Sequence, residues 1–211
     1  MEGRTIGFPS ALFLPLRIGV WDLGLIVITG VPGSGKSELC ELLARRLSVP
    51  CIHLNDLLIQ LGLYSSYDEE TKSYVIDVDR AREEIKRALN LERGVVEGHL
   101  AQLIIPRDAV EICFVLRLSP YELERRLKER GYEEAKVREN CSAEVLDVIL
   151  AEALENYGEE VVSEINVTGK DREAIIEEML AVLKGEHPKK VRIVNWLGFL
   201  VERGELNRFL T

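Results

Sequence analysis

The chain has 211 residues and a mass of 23.9 kDa, and 46% of its residues are hydrophobic, enough for one globular domain with a real core; a disordered or low-complexity chain is excluded. Its formal net charge of −9 is the opposite of what a general nucleic-acid binder or a membrane-surface module carries, so any RNA contact has to be local. No apolar run approaches the roughly 18 residues of a membrane-spanning helix, and the four cysteines, with no C-x-x-C pair, read as reduced intracellular thiols rather than a disulfide framework or a zinc site.

The apolar stretch Ala11 to Leu16 is short, contains Pro15 and is followed by Arg17 and Asp22, so 1–23 reads as an N-terminal extension rather than a signal sequence. Leu25 to Thr29 is a β-branched run bounded by glycines, the pattern of a central parallel strand. Leu39, Leu42, Leu43 and Leu47 follow at helical spacing, and Cys51 to Leu54 gives a second strand, completing a βαβ unit. A helix is expected from Asp79 to Glu92, then strands at Gly94 to Glu97 and Glu111 to Leu116, with a weaker fifth at Glu164 to Val167. Ser119-Pro120-Tyr121-Glu122 reads as a capping box opening a helix that Gly131 closes. One long amphipathic helix is expected from Cys141 to Tyr157 and another from Arg172 to Leu183. Strands alternating with helices imply a parallel α/β sheet. Beyond Glu186 to Lys190 the tail, with Val194, Trp196, Leu200 and Leu206, reads as an amphipathic helix that packs on the core or docks a partner.

Gly30-Val31-Pro32-Gly33-Ser34-Gly35-Lys36-Ser37 matches G-x-x-x-x-G-K-[ST] at every fixed position, and it sits between the first strand and the first helix. Glycines there let backbone N–H groups converge on phosphate oxygens, Lys36 reaches the β and γ phosphates of a nucleotide, and Ser37 offers its hydroxyl to Mg²⁺. Arg126 and Arg130 lie four apart on one helix face: they point together at an anion, or Glu122, Glu124 and Glu129 neutralise them. Glu97, at the carboxyl end of a buried strand, is either a Mg²⁺ carboxylate or a strand-end surface acid. His99 is either a proton acceptor or orienting group, or a hydrogen-bonded loop histidine, while His53 and His187 receive no role.

Taken in order, the phosphate loop, Tyr67 to Glu70, Ile76 to Arg80, Val95-Val96-Glu97-Gly98-His99, Phe114 to Arg117, Arg130-Gly131-Tyr132 and Glu139-Asn140 resemble the sixth adenylate kinase isoenzyme family, the Fap-type broad-specificity nucleotide kinases that also assist small ribosomal subunit maturation. The resemblance covers 24–184. It implies a P-loop nucleoside monophosphate kinase fold: a three-layer α/β/α domain on a five-stranded parallel sheet. A monophosphate-binding segment would span 53–76 and a lid 129–139, with 185–211 a tail. It implies that Gly33, Ser34, Gly35, Lys36, Ser37, Glu38 and Arg130 bind ATP. Ser37 and Glu97 would bind Mg²⁺, and Lys36, Arg130, Glu97 and His99 would serve catalysis. It further implies transfer from ATP to AMP or another monophosphate, ATPase activity, a cytoplasmic protein (or a nuclear one in a eukaryote), and a basic small-subunit ribosomal protein or pre-ribosome as partner, without sequence-specific nucleic-acid or membrane binding. The chain departs from ordinary adenylate kinases in lacking a core Gly-Phe-Pro-Arg turn, which leaves Arg80 and Arg82 as candidates for the acceptor phosphate.

Overall fold

The computed structural model describes residues 24–68, 73–88 and 93–210. The expected N-terminal extension, the end of the acidic stretch at 69–70 and the last turn of the helix expected to reach Glu92 lie outside them. In chain order the described elements are β1 (Leu25–Thr29), α1 (Lys36–Leu47), β2 (Cys51–His53), α2 (Leu54–Gln60), β3 (Tyr64–Asp68), β4 (Ser73–Ile76), α3 (Val78–Ala88), β5 (Gly94–Glu97) and α4 (Ala101–Ile104). There follow β6 (Val110–Arg117), α5 (Pro120–Glu129), α6 (Glu134–Val145), α7 (Val148–Tyr157), β7 (Val162–Asn166), α8 (Arg172–Leu183), α9 (Trp196–Arg203) and α10 (Leu206–Phe209).

Five strands form one parallel sheet in the order β2-β5-β1-β6-β7, with β1 between β5 and β6. Every residue of β1 is buried, as a strand covered on both faces requires. Its alternation sorts the core into two layers. Ile26 and Ile28 face a cluster built with Leu39 and Leu43 of α1, Leu123 and Leu127 of α5, and Ile176 and Met179 of α8. Leu25 and Val27 face the other cluster, with Leu54 and Leu58 of α2, Ile85 of α3 and Leu150 of α7. The result is the expected three-layer α/β/α arrangement on a five-stranded parallel sheet.

Four expectations need correction. The segment between α2 and α3 folds into an antiparallel hairpin, β3 with β4, which the sequence reading left without strands. The expected helix from Cys141 to Tyr157 is two helices, broken where Asp147 adopts a left-handed backbone (φ 56°) and turns its carboxylate onto Arg117. Ser119 does begin α5, but no capping box forms. The Ser119 N–H donates to Thr168 Oγ1 (2.9 Å), and Glu122 is drawn away to Arg126 and to the Gly169 N–H. Finally, Cys40 and Cys51 are joined in a disulfide, their Cα atoms 5.9 Å apart, because α1 lies back over the start of β2; Cys113 and Cys141 are free and buried.

The tail packs on the core. Leu200 and Phe209 are buried, and the Trp196 indole N–H donates to Glu144 of α6 (3.0 Å). That contact belongs to a buried ion cluster in which the Arg117 guanidinium meets Glu144 (2.9 Å), Glu164 and Asp147. Burial pushes the Glu144 carboxyl up to about 7, although Arg117 beside it favours the ionised form.

Candidate active site

The site lies at the carboxyl ends of β1, β2 and β5, where parallel α/β sheets bind their ligands. The loop from Gly30 to Gly35 leaves β1 and enters α1 through Gly33 and Gly35, at φ 90° and 96°, conformations that side chains rarely adopt. A Cβ on Gly33 would press on Leu123 and Leu127 at 3.1 Å, so α5 closes directly over the loop. The Lys36 ammonium folds back into the loop and donates to the carbonyls of Gly30 (2.9 Å) and Val31 (3.0 Å). Its burial lowers its pKa to about 8. Ser34 Oγ is buried in the loop without a hydrogen-bond partner, a rare condition that a bound anion would relieve.

Next to the loop, the Ser37 hydroxyl donates to Glu97 Oε1 (3.0 Å), and the same oxygen lies 2.9 Å from His53 Nδ1. Register explains the second contact, since His53 of β2 pairs directly with Glu97 of β5. Glu97 is only 8% exposed, so it is not the surface acid of the alternative reading. Among the described residues no group of three or more His, Cys, Asp and Glu side chains could hold a metal on its own. A hydroxyl beside one carboxylate instead fits Mg²⁺, which takes one or two protein oxygens and completes its shell with water and phosphate. His99 Nδ1 lies 3.3 Å from Asn55 Nδ2. Burial, then the charge of Lys36, lowers its pKa to about 4, so it is a neutral imidazole near pH 7.

The basic end of α5 resolves residue by residue. Arg125 pairs with Glu129 (2.8 Å), whereas Arg126 is held by Glu122 (2.7 Å) and donates to the Gly33 carbonyl (3.2 Å), bracing the phosphate loop. Arg130 follows the last turn, where its backbone N–H donates to the carbonyls of Arg126 (3.2 Å) and Leu127 (3.1 Å); its guanidinium makes no hydrogen bond or ion pair among the described residues and lines two clefts. The smaller, about 460 Å³, runs over Ser34, Gly35 and Glu38 toward Val167, Lys170 and Arg172. Glu38 is paired there with Arg172. The larger, about 800 Å³, opens from Gly33, Lys36 and Ser37 past Glu97 and His99 to the β3–β4 hairpin and the start of α6. Gly33 to Glu38, Glu97, His99 and Arg130 therefore each line one cleft or both. The acceptor candidates are the exception. Arg82 donates twice to the Leu103 carbonyl (2.9 and 2.6 Å), and neither Arg80 nor Arg82, both exposed on α3, lines either of these clefts. Sequence reasoning missed His53, Asn55, Tyr74, Tyr132 and Lys136. For His53 the available signal was its place as last residue of a strand ending at the site.

A phosphate loop, a strand-end carboxylate and a basic segment shared by two clefts on a five-stranded parallel sheet define a P-loop kinase of the nucleoside monophosphate kinase type. Residues 26–147 match the AAA domain family. A "putative adenylate kinase" of Thermococcus kodakarensis is 37% identical over 172 residues, covering 82% of this chain and 92% of that one, and its namesake in Sulfurisphaera tokodaii is 41% identical over 157 residues, covering 74% and 81%. The chain belongs to this adenylate kinase-like family. The solved structure of shikimate kinase from Acinetobacter baumannii shares the fold, with a TM-score of 0.58 at 14% identity over 79% of this chain and 96% of that one. The protein is thus a nucleotide kinase, and none of its described helices is long and apolar enough to cross a membrane.

Proposed function

We propose that the chain transfers the γ-phosphoryl group of ATP to a nucleoside monophosphate, AMP first among them. The observation that carries this reading is Arg130, a guanidinium without a partner among the described residues, on the wall between two clefts that both open onto the phosphate loop. ATP would lie in the smaller cleft and the monophosphate in the larger. Gly33, Ser34, Gly35 and Lys36 would hold the β and γ phosphates, with Lys36 exchanging the loop carbonyls for phosphate oxygens. Ser37 and Glu97 would hold Mg²⁺, which neutralises charge on the phosphates when bound. An oxygen of the acceptor phosphate is already anionic, so attack needs alignment and charge neutralisation rather than a strong base. His53 would keep the Glu97 carboxylate turned toward Ser37.

The test is ATP turnover with Mg²⁺, first alone and then with AMP, CMP, GMP, UMP or dAMP added singly. Loss of AMP matched by ADP formation is the expected result. Steady ATP loss that ignores every monophosphate would sink the kinase reading in favour of an ATPase.

The second reading is an ATPase that assists small ribosomal subunit maturation, as the resemblance implies. What supports it is a neutral His99 beside Glu97, a pair able to orient water, together with the acidic surplus of −9, which suits a basic ribosomal protein. Its test is salt-sensitive binding of such a protein to the purified chain.

A further inference from the structure

The larger cleft contains a cation that does not line the smaller one. Lys136, in the first turn of α6, lines it together with Lys36 and Arg130. Its ammonium lies 3.4 Å from the exposed carboxylate of Glu139, a solvent-screened pairing that a stronger anion would replace. Neither Arg80 nor Arg82 lines this cleft, so beside Lys36 and Arg130 it is Lys136 that is left for a second anion among the described residues. Lys36, His99 and Lys136 line this one cleft together.

The same cleft has an apolar wall. Ile59 of α2, Tyr74 and Ile76 of β4, and Tyr132 after α5 line it, and Ile59, Tyr74 and Tyr132 are each more than one third exposed. Large apolar side chains gathered at a cavity mouth mark a surface that a ligand covers. Tyr74 is fixed beforehand, since its ring meets those of Tyr64 and Tyr67 at centroid distances of 4.6 and 5.1 Å. A cleft with an ammonium in one wall and a fixed aromatic ring in another fits a molecule that is anionic at one end and flat and apolar at the other.

We propose that Lys136 binds the phosphate of the acceptor mononucleotide and Tyr74 carries its base, an assignment that rests on the phosphoryl-transfer reading above. In the step this serves, an acceptor phosphate oxygen forms a bond to the γ-phosphorus while the bond from that phosphorus to the β,γ-bridging oxygen breaks. The electron pair leaves with ADP, and the acceptor becomes a diphosphate with no proton transferred. Lys136 would offset the charge of the incoming phosphate, and Tyr74 would offer its face to any base, because stacking reads a π surface rather than a hydrogen-bond pattern.

The experiment compares full-length wild type with Lys136→Ala, Lys136→Arg, Tyr74→Ala and Tyr74→Phe. AMP and ATP binding are measured separately by calorimetry, alongside the KM for each. The expected result for Lys136→Ala is an AMP affinity weaker by about 10- to 100-fold with ATP affinity held, and substantial recovery in Lys136→Arg. Tyr74→Ala should weaken AMP by about 10-fold and Tyr74→Phe should not. An unchanged AMP affinity in Lys136→Ala overturns the phosphate assignment, and so does a loss shared equally by ATP. An unchanged AMP affinity in Tyr74→Ala overturns the base assignment. If wild type binds AMP but only hydrolyses ATP, the kinase reading fails while a selective AMP loss in the variants still upholds the subsite. If wild type binds no monophosphate, both fail.

Discussion

In the proposed transfer, Lys36 and Arg130 would divide the work at the centre of the site. Lys36 is buried, holds the loop carbonyls and sits where phosphate enters, so Lys36→Ala should abolish phosphoryl transfer while the circular dichroism spectrum stays that of the wild type. Arg130→Ala should lower kcat by a factor on the order of 10³ with the fold intact, since its guanidinium supports no other described residue; an Arg130→Ala enzyme with wild-type turnover would remove this residue from the mechanism. At this scale the sequence was informative wherever chemistry restricts residue type. A glycine at φ 96° and a lysine after it leave few alternatives, so Gly35 and Lys36 could be read directly. Arg126 and Arg130 could not be separated by spacing, because their roles depend on Glu122, which holds the first and leaves the second. His53 and Lys136 are placed by tertiary structure, one by strand register and the other by helix placement; His53 shows in the sequence only as the last residue of a strand, and Lys136 leaves no local mark.

The elements that were legible are those whose periodicity matches their burial. The continuous β-branched run of β1 and the leucine spacing of α1 are both products of the core they enter. The β3–β4 hairpin was not legible, since its residues carry exposed tyrosines and serines with no buried face to impose alternation. The break between α6 and α7 was hidden because Val145 and Leu150 keep apolar residues flowing through it; Asp147 turns the chain by accepting from Arg117, a partner 30 residues away. The Cys40–Cys51 disulfide was excluded on motif grounds, yet 11 residues of strand–helix connection bring the two thiols together. Closing so short a loop stabilises a chain by about 2–3 kcal/mol, so reduction, or Cys40→Ser, should lower the unfolding free energy by that amount in a urea titration. A midpoint that does not respond to dithiothreitol would show that the bond contributes nothing to folding.

Across the whole molecule the Arg117 cluster joins the sheet, α6 and the tail, since β6, α6 and β7 each supply a charge and Trp196 hydrogen bonds to Glu144. Removing the cation leaves buried carboxylates unpaired, so Arg117→Met should cost about 3–5 kcal/mol in chemical unfolding. The carboxyl of Glu144 also sets a pH dependence. Its folded value, near 7, lies above the ordinary 4.5, so the folded chain binds this proton more tightly than the unfolded one. Its contribution to stability therefore falls as pH rises from about 4.5 to about 7, and Glu144→Gln should gain on the wild type across that window. Parallel stability curves for the two proteins would contradict this. At the carboxyl edge of the same sheet, the two clefts share Arg130, and that shared wall has a thermodynamic meaning. On the proposed placement of the two nucleotides, whichever binds first would order a side chain that the second then finds already in place, so each occupant would lower the entropic cost of admitting the other. Linkage makes the favour symmetrical: the factor by which ATP tightens its acceptor is the factor by which the acceptor tightens ATP.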